Sequence, residues 1–218
     1  ADPRVMARKI RAASDSGIDA FLFDWYYYDD GPFLERALLE GFHGAPNCGE
    51  LAYALMWANH DWTDIHPLPA DGSARLLHRG AVTPESFERM TDYMIETHFR
   101  HPSYWKIDGC PYFSIYEVYQ LAAGLGGWEN AAAALGRFRS KVRKAGFPGL
   151  HLNAVLWGVQ LLPGETAAGC PEEIVRRLRF DSVTSYVWVH HARLDRFPRT
   201  GCREVFEANR AYWEEAAR

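Results

Sequence analysis

The segment Leu51 to Trp62 (LAYALMWANHDW) opens as an apolar run and closes on Trp57, Asn59, His60, Asp61 and Trp62. A strand needs none of these side chains in order to fold, and its polar groups are costly to bury without partners. Flat apolar rings beside hydrogen-bonding groups suit a ligand that is apolar on its face and polar on its edge, as a sugar ring is. The same mixture recurs at the ends of other expected strands, in Asp24, Trp25 and Tyr26, in Tyr116 and Glu117, at Trp157 and at Trp188. The competing reading is that the indoles cap the core and the polar groups solvate loops.

Glycoside cleavage in its usual form needs two carboxylic groups roughly 5–9 Å apart across one bond. Asp24, Asp61 and Glu117 are the candidates, each with a structural alternative: Asp24 could bond a neighbouring loop, and Asp61 could accept from a loop N–H beside Trp62. Glu117 follows Ser-Ile-Tyr at a strand end, where a site explains a carboxylate better than a core does. His60 could reach sugar hydroxyls, whereas His190 and His191 read as ordinary loop histidines. Tyr26, Tyr27 and Tyr28 alternate across a strand, so at most two of them face one site. Asp61, His60 and Glu117 are metal-ligand types, but no HExxH or EF-hand spacing accompanies them. No cofactor is expected, and Ser/His/Asp hydrolysis lacks its GxSxG elbow. Cys48, Cys110, Cys170 and Cys202 are far apart and show no CxxC pairing, which leaves one or two disulfides or four lone thiols.

Five strands must position these residues, at 18–28, 51–58, 111–118, 150–159 and 181–190. Apolar periodicity predicts helices over 3–16, 33–42, 84–101, 128–145, 171–179 and 203–217. Asp2-Pro3 and Thr83-Pro84-Glu85 are helix starts, and Gly17 is a stop. Thr63 to Val82 reads as a long polar loop directly after the aromatic motif, a length that usually signals function or disorder. Strand and helix alternate, so the sheet is parallel. A doubly wound sheet would carry a Gly-rich phosphate turn, and no GxGxxG or GxxxxGK[ST] occurs. A (β/α)8 barrel gathers its site at strand C-terminal ends. Trp25, Trp57, Trp62, Trp157 and Trp188, five of the eight tryptophans, fall there.

The expected architecture is therefore an α/β chain of the (β/α)8 TIM-barrel type. It is incomplete, with about five βα units in a single domain over 1–218 that lacks a first strand and the last two or so. An open arc has two sheet edges, so the isolated chain is expected to self-associate.

The 218 residues are 48% hydrophobic and 24% charged, with a net charge of −4 and no basic block. That composition is globular and does not suggest nucleic acid as a partner. No apolar run approaches the roughly 20 residues of a membrane span. The chain opens ADPRVMARKI without a Met, so a bacterial cytoplasmic, periplasmic or secreted location all stay open.

GIDAFLFDWYYYDDGPFLERAL, ALMWANHDW and YWKIDGCPYFSIYEV resemble the glycoside hydrolase family 99-like domain of the WbsX type, over roughly residues 3–120. The resemblance implies a (β/α)8 barrel and carbohydrate chemistry on an oligo- or polysaccharide. That chemistry is endo-α-mannosidase-like hydrolysis in one branch and a glycosyltransferase-type role in polysaccharide or O-antigen metabolism in the other. A non-catalytic glycan-binding module is the further alternative. The family's acid/base glutamates are expected in an NEW-x-EG-type motif, which does not occur here. Glu214 and Glu215 sit on an amphipathic helix, so the catalytic pair is expected to lie outside this chain.

Overall fold

The computed structural model describes residues 1–64, 74–156, 171–196 and 199–217. Helix α1 (Pro3–Asp15) begins as its sequence demands, with Asp2 accepting the Arg4 N–H at 2.9 Å and Pro3 in the first turn. Gly17, at φ 78°, turns the chain into strand β1 (Ala20–Tyr28). Next come β2 (Gly31–Phe33), a π-helical turn at Ala37–Phe42, β3 (Ala52–Trp57), and the short strands β4 (Trp62–Asp64) and β5 (Arg75–His78). Helix α2 (Pro84–Met94) is capped by Thr83, whose hydroxyl accepts the Ser86 N–H, and runs on into a second π-helical stretch, Ile95–Phe99. Strands β6 (Lys106–Ile107) and β7 (Cys110–Ile115), helices α3 (Val118–Gly124) and α4 (Trp128–Lys144), strand β8 (His151–Val155), helix α5 (Pro171–Leu178), strand β9 (Ser182–Thr184) and helix α6 (Cys202–Ala216) complete the order.

The five parallel strands lie in the order β1-β3-β7-β8-β9. They form an open arc of a (β/α)8-type barrel, with α1, α2 and α4 packed on its outer face around a core that includes Phe42, Tyr53, Phe87, Met90, Phe113 and Phe138. The parallel register decides which side chains share a face. Trp25 pairs with Trp57 and Trp57 with Ile115, all on the outer face. Asp24, Met56, Ser114, Asn153 and Ser182 form a row on the inner face. Beyond Trp57 the next inward position on β3 is Ala58, and on β7 it is Tyr116.

Four local expectations change. Gly31–Phe33 pairs antiparallel with β1, covering part of its edge, where a helix over 33–42 was expected; only Ala37–Phe42 is helical. The loop expected over 63–82 contains the antiparallel β4–β5 ribbon. A short helix, α3, follows β7 where none was read, because the Glu117 carboxylate caps its first turn. The last strand ends at Thr184, and Trp188–His191 form a 3₁₀ turn instead. The 157–159 end of the expected fourth strand lies outside the described residues. Among those described, Cys48, Cys110 and Cys202 are free, and no helix is long and apolar enough to cross a membrane.

Candidate functional site

The carboxyl end of the arc collects an aromatic cleft on its inner face. Tyr26 and Tyr28, two residues apart on β1, stack with ring centroids 6.5 Å apart. Trp62 meets Tyr26 edge-on at 5.7 Å, and the His60 imidazole lies between them, 6.2 Å from Tyr26, 6.3 Å from Trp62 and 5.8 Å from Tyr116. Tyr186 closes the far side, edge-on to Tyr116 at 5.0 Å.

Asp24 sits one step below Tyr26. Among the described residues its carboxylate accepts no hydrogen bond. Solvent reaches it from the open mouth, yet the surrounding atoms crowd it enough to raise its pKa, with the His60 imidazole pulling the other way. Its charge in turn helps burial raise the pKa of both Tyr26 and Tyr186. Deeper on the same face, Ser114, fully buried, donates to Asn153 Oδ1 at 2.8 Å. The Asn153 amide donates to Ser182 Oγ at 3.0 Å, and Thr184 donates to Asn153 Oδ1 at 3.0 Å. That polar floor is satisfied internally; Asp24 is not.

Several expected site residues have structural duties. Trp25 and Trp57, 2% and 0% exposed, are core residues on the helix side, because neighbours in a strand face opposite ways and Tyr26 faces in. Trp57 donates to the Tyr27 carbonyl at 3.1 Å, and Trp25 donates to Glu35 at 2.6 Å. Asn59, wholly buried, spends both ends of its amide on one residue: Nδ2 donates to Glu117 O at 2.8 Å and Oδ1 accepts Glu117 N–H at 2.7 Å. This extends the β3–β7 ladder by one side-chain rung and gives Asn59 a structural duty in the core. Asp61 accepts the Gly80 N–H at 2.7 Å. A Cβ at Gly80 would meet Asn59 O at 2.3 Å, so only glycine allows this crossing. Glu117, 2% exposed, accepts the Tyr119 N–H at 3.0 Å. Trp188 packs against Phe206 and Trp213 of α6, and Trp157 lies outside the described residues.

Of the expected set, then, Asp24, Tyr26, His60, Trp62 and Tyr116 come together. Tyr28 joins them as the second of the strand tyrosines on this face, while Phe33, His78 and Tyr186 were not expected at the site. Tyr28 was within reach of the sequence, since alternation places it with Tyr26; His78 carries no local signal. Among the described residues no three His, Cys, Asp or Glu side chains converge as a metal-ligand set.

The arc has known counterparts. The GH99 endo-alpha-mannosidase from Bacteroides thetaiotaomicron superposes with TM-score 0.52 at 16% identity, covering 85% of this chain and 44% of that one. The same enzyme with bis-tris-propane bound gives TM-score 0.53 at 15% identity, covering 88% and 48%. A protein described as glycoside hydrolase-like gives 0.58 at 18% identity, covering 99% and 59%. The chain thus spans about half the length of the solved structures it matches, and at these identities the likeness is one of fold. No curated protein matches the sequence significantly. The model of the family described as glycosyltransferase WbsX matches residues 1–194, and the chain belongs to that family.

Proposed function

We propose that this chain forms the sugar-binding wall of a carbohydrate-active barrel that cleaves glycosidic bonds in an oligo- or polysaccharide. The observation that carries the reading is Asp24, a carboxylate that accepts no hydrogen bond from the described residues, set beneath Tyr26, His60 and Trp62. A pyranose ring offers hydroxyls to Asp24 and His60 and a C–H face to the aromatic rings. Binding then exchanges water around an already crowded carboxylate for fixed donors, which lowers the cost of desolvating it. Asp61 and Glu117 each accept a backbone N–H, from Gly80 and Tyr119, which gives both a structural duty that Asp24 lacks. The Asp24 carboxyl, with its raised pKa, is the group best placed to hold or pass a proton in this cleft. The endo-alpha-mannosidase activity of the solved neighbours makes α-mannosides the first substrates to try.

The test uses the full-length protein on an oligosaccharide panel that includes α-mannosides, with calorimetry for binding and product analysis for turnover. Binding that Asp24→Asn weakens at least tenfold supports the reading. A panel with no binder, or binding indifferent to Asp24→Asn, overturns it.

The family description favours a second reading, transfer of a sugar to another glycan. The same assay with added acceptor oligosaccharides separates the two, since transfer yields elongated products and hydrolysis yields only shortened ones. Binding without either product would mark a glycan-binding module.

A further inference from the structure

The His60 imidazole is fixed by what surrounds it. Its Nδ1 lies 3.0 Å from the Asp61 carbonyl oxygen. A carbonyl oxygen only accepts, so Nδ1 carries the proton and, in the neutral ring, Nε2 carries the lone pair. Tyr26 and Tyr116 meet the ring edge-on, at 80° and 71°, and Trp62 lies nearly parallel to it, at 19°. Three rings thus hold the imidazole plane, and turning it over would cost the hydrogen bond to Asp61. Among the described residues Nε2 has no hydrogen-bond partner. Trp62 Nε1 and Tyr28 Oη are closed to solvent, whereas His60 Nε2 is open to it.

A second acceptor stands in the same cleft. The Asp24 carboxylate is exposed and takes no hydrogen bond from the described residues. His60 lies near enough for its charge to bear on that carboxylate, and no described Lys or Arg does. An ionised carboxylate cannot donate, and neither can Nε2 of the Nδ1–H form. Two such groups disfavour a ligand that offers only acceptors and suit one that brings a donor to each. The hydroxyls of a sugar are donors of this kind, and its C–H face suits the rings of Tyr26 and Trp62.

We propose that His60, held in its Nδ1–H form, determines which glycans the cleft takes: Nε2 accepts from one sugar hydroxyl while the Asp24 carboxylate accepts from another. The assignment rests on the glycan reading above and deepens it, because it makes the substrate a glycan with both of those hydroxyls free. Methylation, acylation or loss of the hydroxyl at His60 removes the donor and leaves Nε2 covered without a partner, and a site built around a hydrogen bond rejects a ligand that lacks it.

The first measurement needs no ligand. Long-range proton–nitrogen correlation spectra of the full-length protein, with His60 assigned through His60→Gln, are expected to show the ring proton on Nδ1 at neutral pH, the form that free histidine populates less. A proton on Nε2 overturns the proposal. The second measurement is calorimetry on the best-binding α-mannoside of the panel and on its monodeoxy and monofluoro analogues. Fluorine cannot donate, so at one position both replacements are expected to weaken binding about five- to tenfold, the loss of one hydrogen bond. His60→Phe, which keeps a ring among Tyr26, Trp62 and Tyr116, is expected to lose the same factor and to bind the parent and those two analogues alike. His60→Gln, whose amide oxygen accepts, is expected to recover part of the discrimination. The proposal is overturned if fluorine restores binding wherever the deoxy analogue is weak, if no analogue separates wild type from His60→Phe, or if mannosamine, whose ammonium also brings donors, binds where neutral sugars do not. Binding that Asp24→Asn weakens while His60→Phe discriminates as the wild type does would refute the role of His60 and leave the glycan reading standing. A panel with no binder overturns both.

Discussion

The two faces of β1 carry nearly the same side chains and put them to opposite uses. Outside, the Glu35 carboxylate, 9% exposed, receives hydrogen bonds from Trp25 Nε1 at 2.6 Å, Tyr93 Oη at 2.6 Å and His98 Nε2 at 3.0 Å. Burial alone would raise its pKa, but these three partners outweigh it and hold the carboxyl below its ordinary value. His98 continues the chain to Tyr53, whose hydroxyl lies 2.8 Å from His43. Both π-helical stretches, Ala37–Phe42 and Ile95–Phe99, flank this network, as irregular helix often does where side chains must be aimed. Inside, Asp24, Trp62, Tyr28 and His60 repeat the cast, yet Asp24 has no donor and Trp62 Nε1 and Tyr28 Oη have no partner among the described residues. A satisfied polar network holds a fold together; Asp24, which solvent reaches and no described donor engages, stands outside any such network.

The sharpest way to break this contrast is to treat the two carboxylates alike. Glu35→Ala leaves three buried groups without their acceptor and is expected to cost about 3–5 kcal/mol in urea unfolding. A loss under about 1 kcal/mol would mean that the outer network is not structural. Asn59→Ala removes both hydrogen bonds to the Glu117 backbone and should cost about 1–3 kcal/mol by the same measurement, with loosening at the ends of β3 and β7 visible in amide exchange.

Acid separates the faces next. Burial, together with the neighbouring His101 and His98 imidazoles, pushes the His43 pKa down to about 4. In the unfolded chain it titrates near 6.5, so between about pH 6.5 and 4 the unfolded state takes up a proton that the folded state refuses, and stability falls with pH across that window. The expected loss is on the order of 2 kcal/mol, discounted for partial exposure. It should shrink in His43→Phe and persist in Asp24→Asn. Glu35 adds a loss in the same direction once the pH drops through its lowered pKa. Equal acid sensitivity of wild type and His43→Phe would move the titrating group elsewhere.

The smallest stability effect belongs to Asp24. Asp24→Asn removes an exposed charge with no hydrogen-bond donor among the described residues to strand, so its unfolding free energy should stay within about 0.5 kcal/mol of wild type. Glycan affinity should follow the ionisation of Asp24 and be lost on acidification, at a higher pH than for an ordinary aspartate, because burial raises its pKa. A strongly destabilised Asp24→Asn would show that the inner carboxylate is structural after all.

The sequence alone determined the alternation of five strands with helices, the caps at Asp2 and Thr83, and the concentration of aromatic and carboxylate residues at strand ends. Each of these is written in local spacing: an apolar run, an N-cap before a proline, a period of two or 3.6. The family resemblance was equally legible, in the WANHDW and KIDGCPYF segments. Which strand-end residues face the cleft was not. Neighbouring Trp25 and Tyr26 could not both point inward, but only the register with β3 and the position of the helices decide which one does. Asp61, Asn59 and Glu117 read as sugar-binding groups because the sequence does not show that Gly80, Glu117 and Tyr119 supply their partners, the first two of those pairs far apart in the chain. Whether a polar side chain is spent or free is a matter of long-range pairing, and only the tertiary structure placed Glu35 among three donors and left Asp24 with none among the described residues.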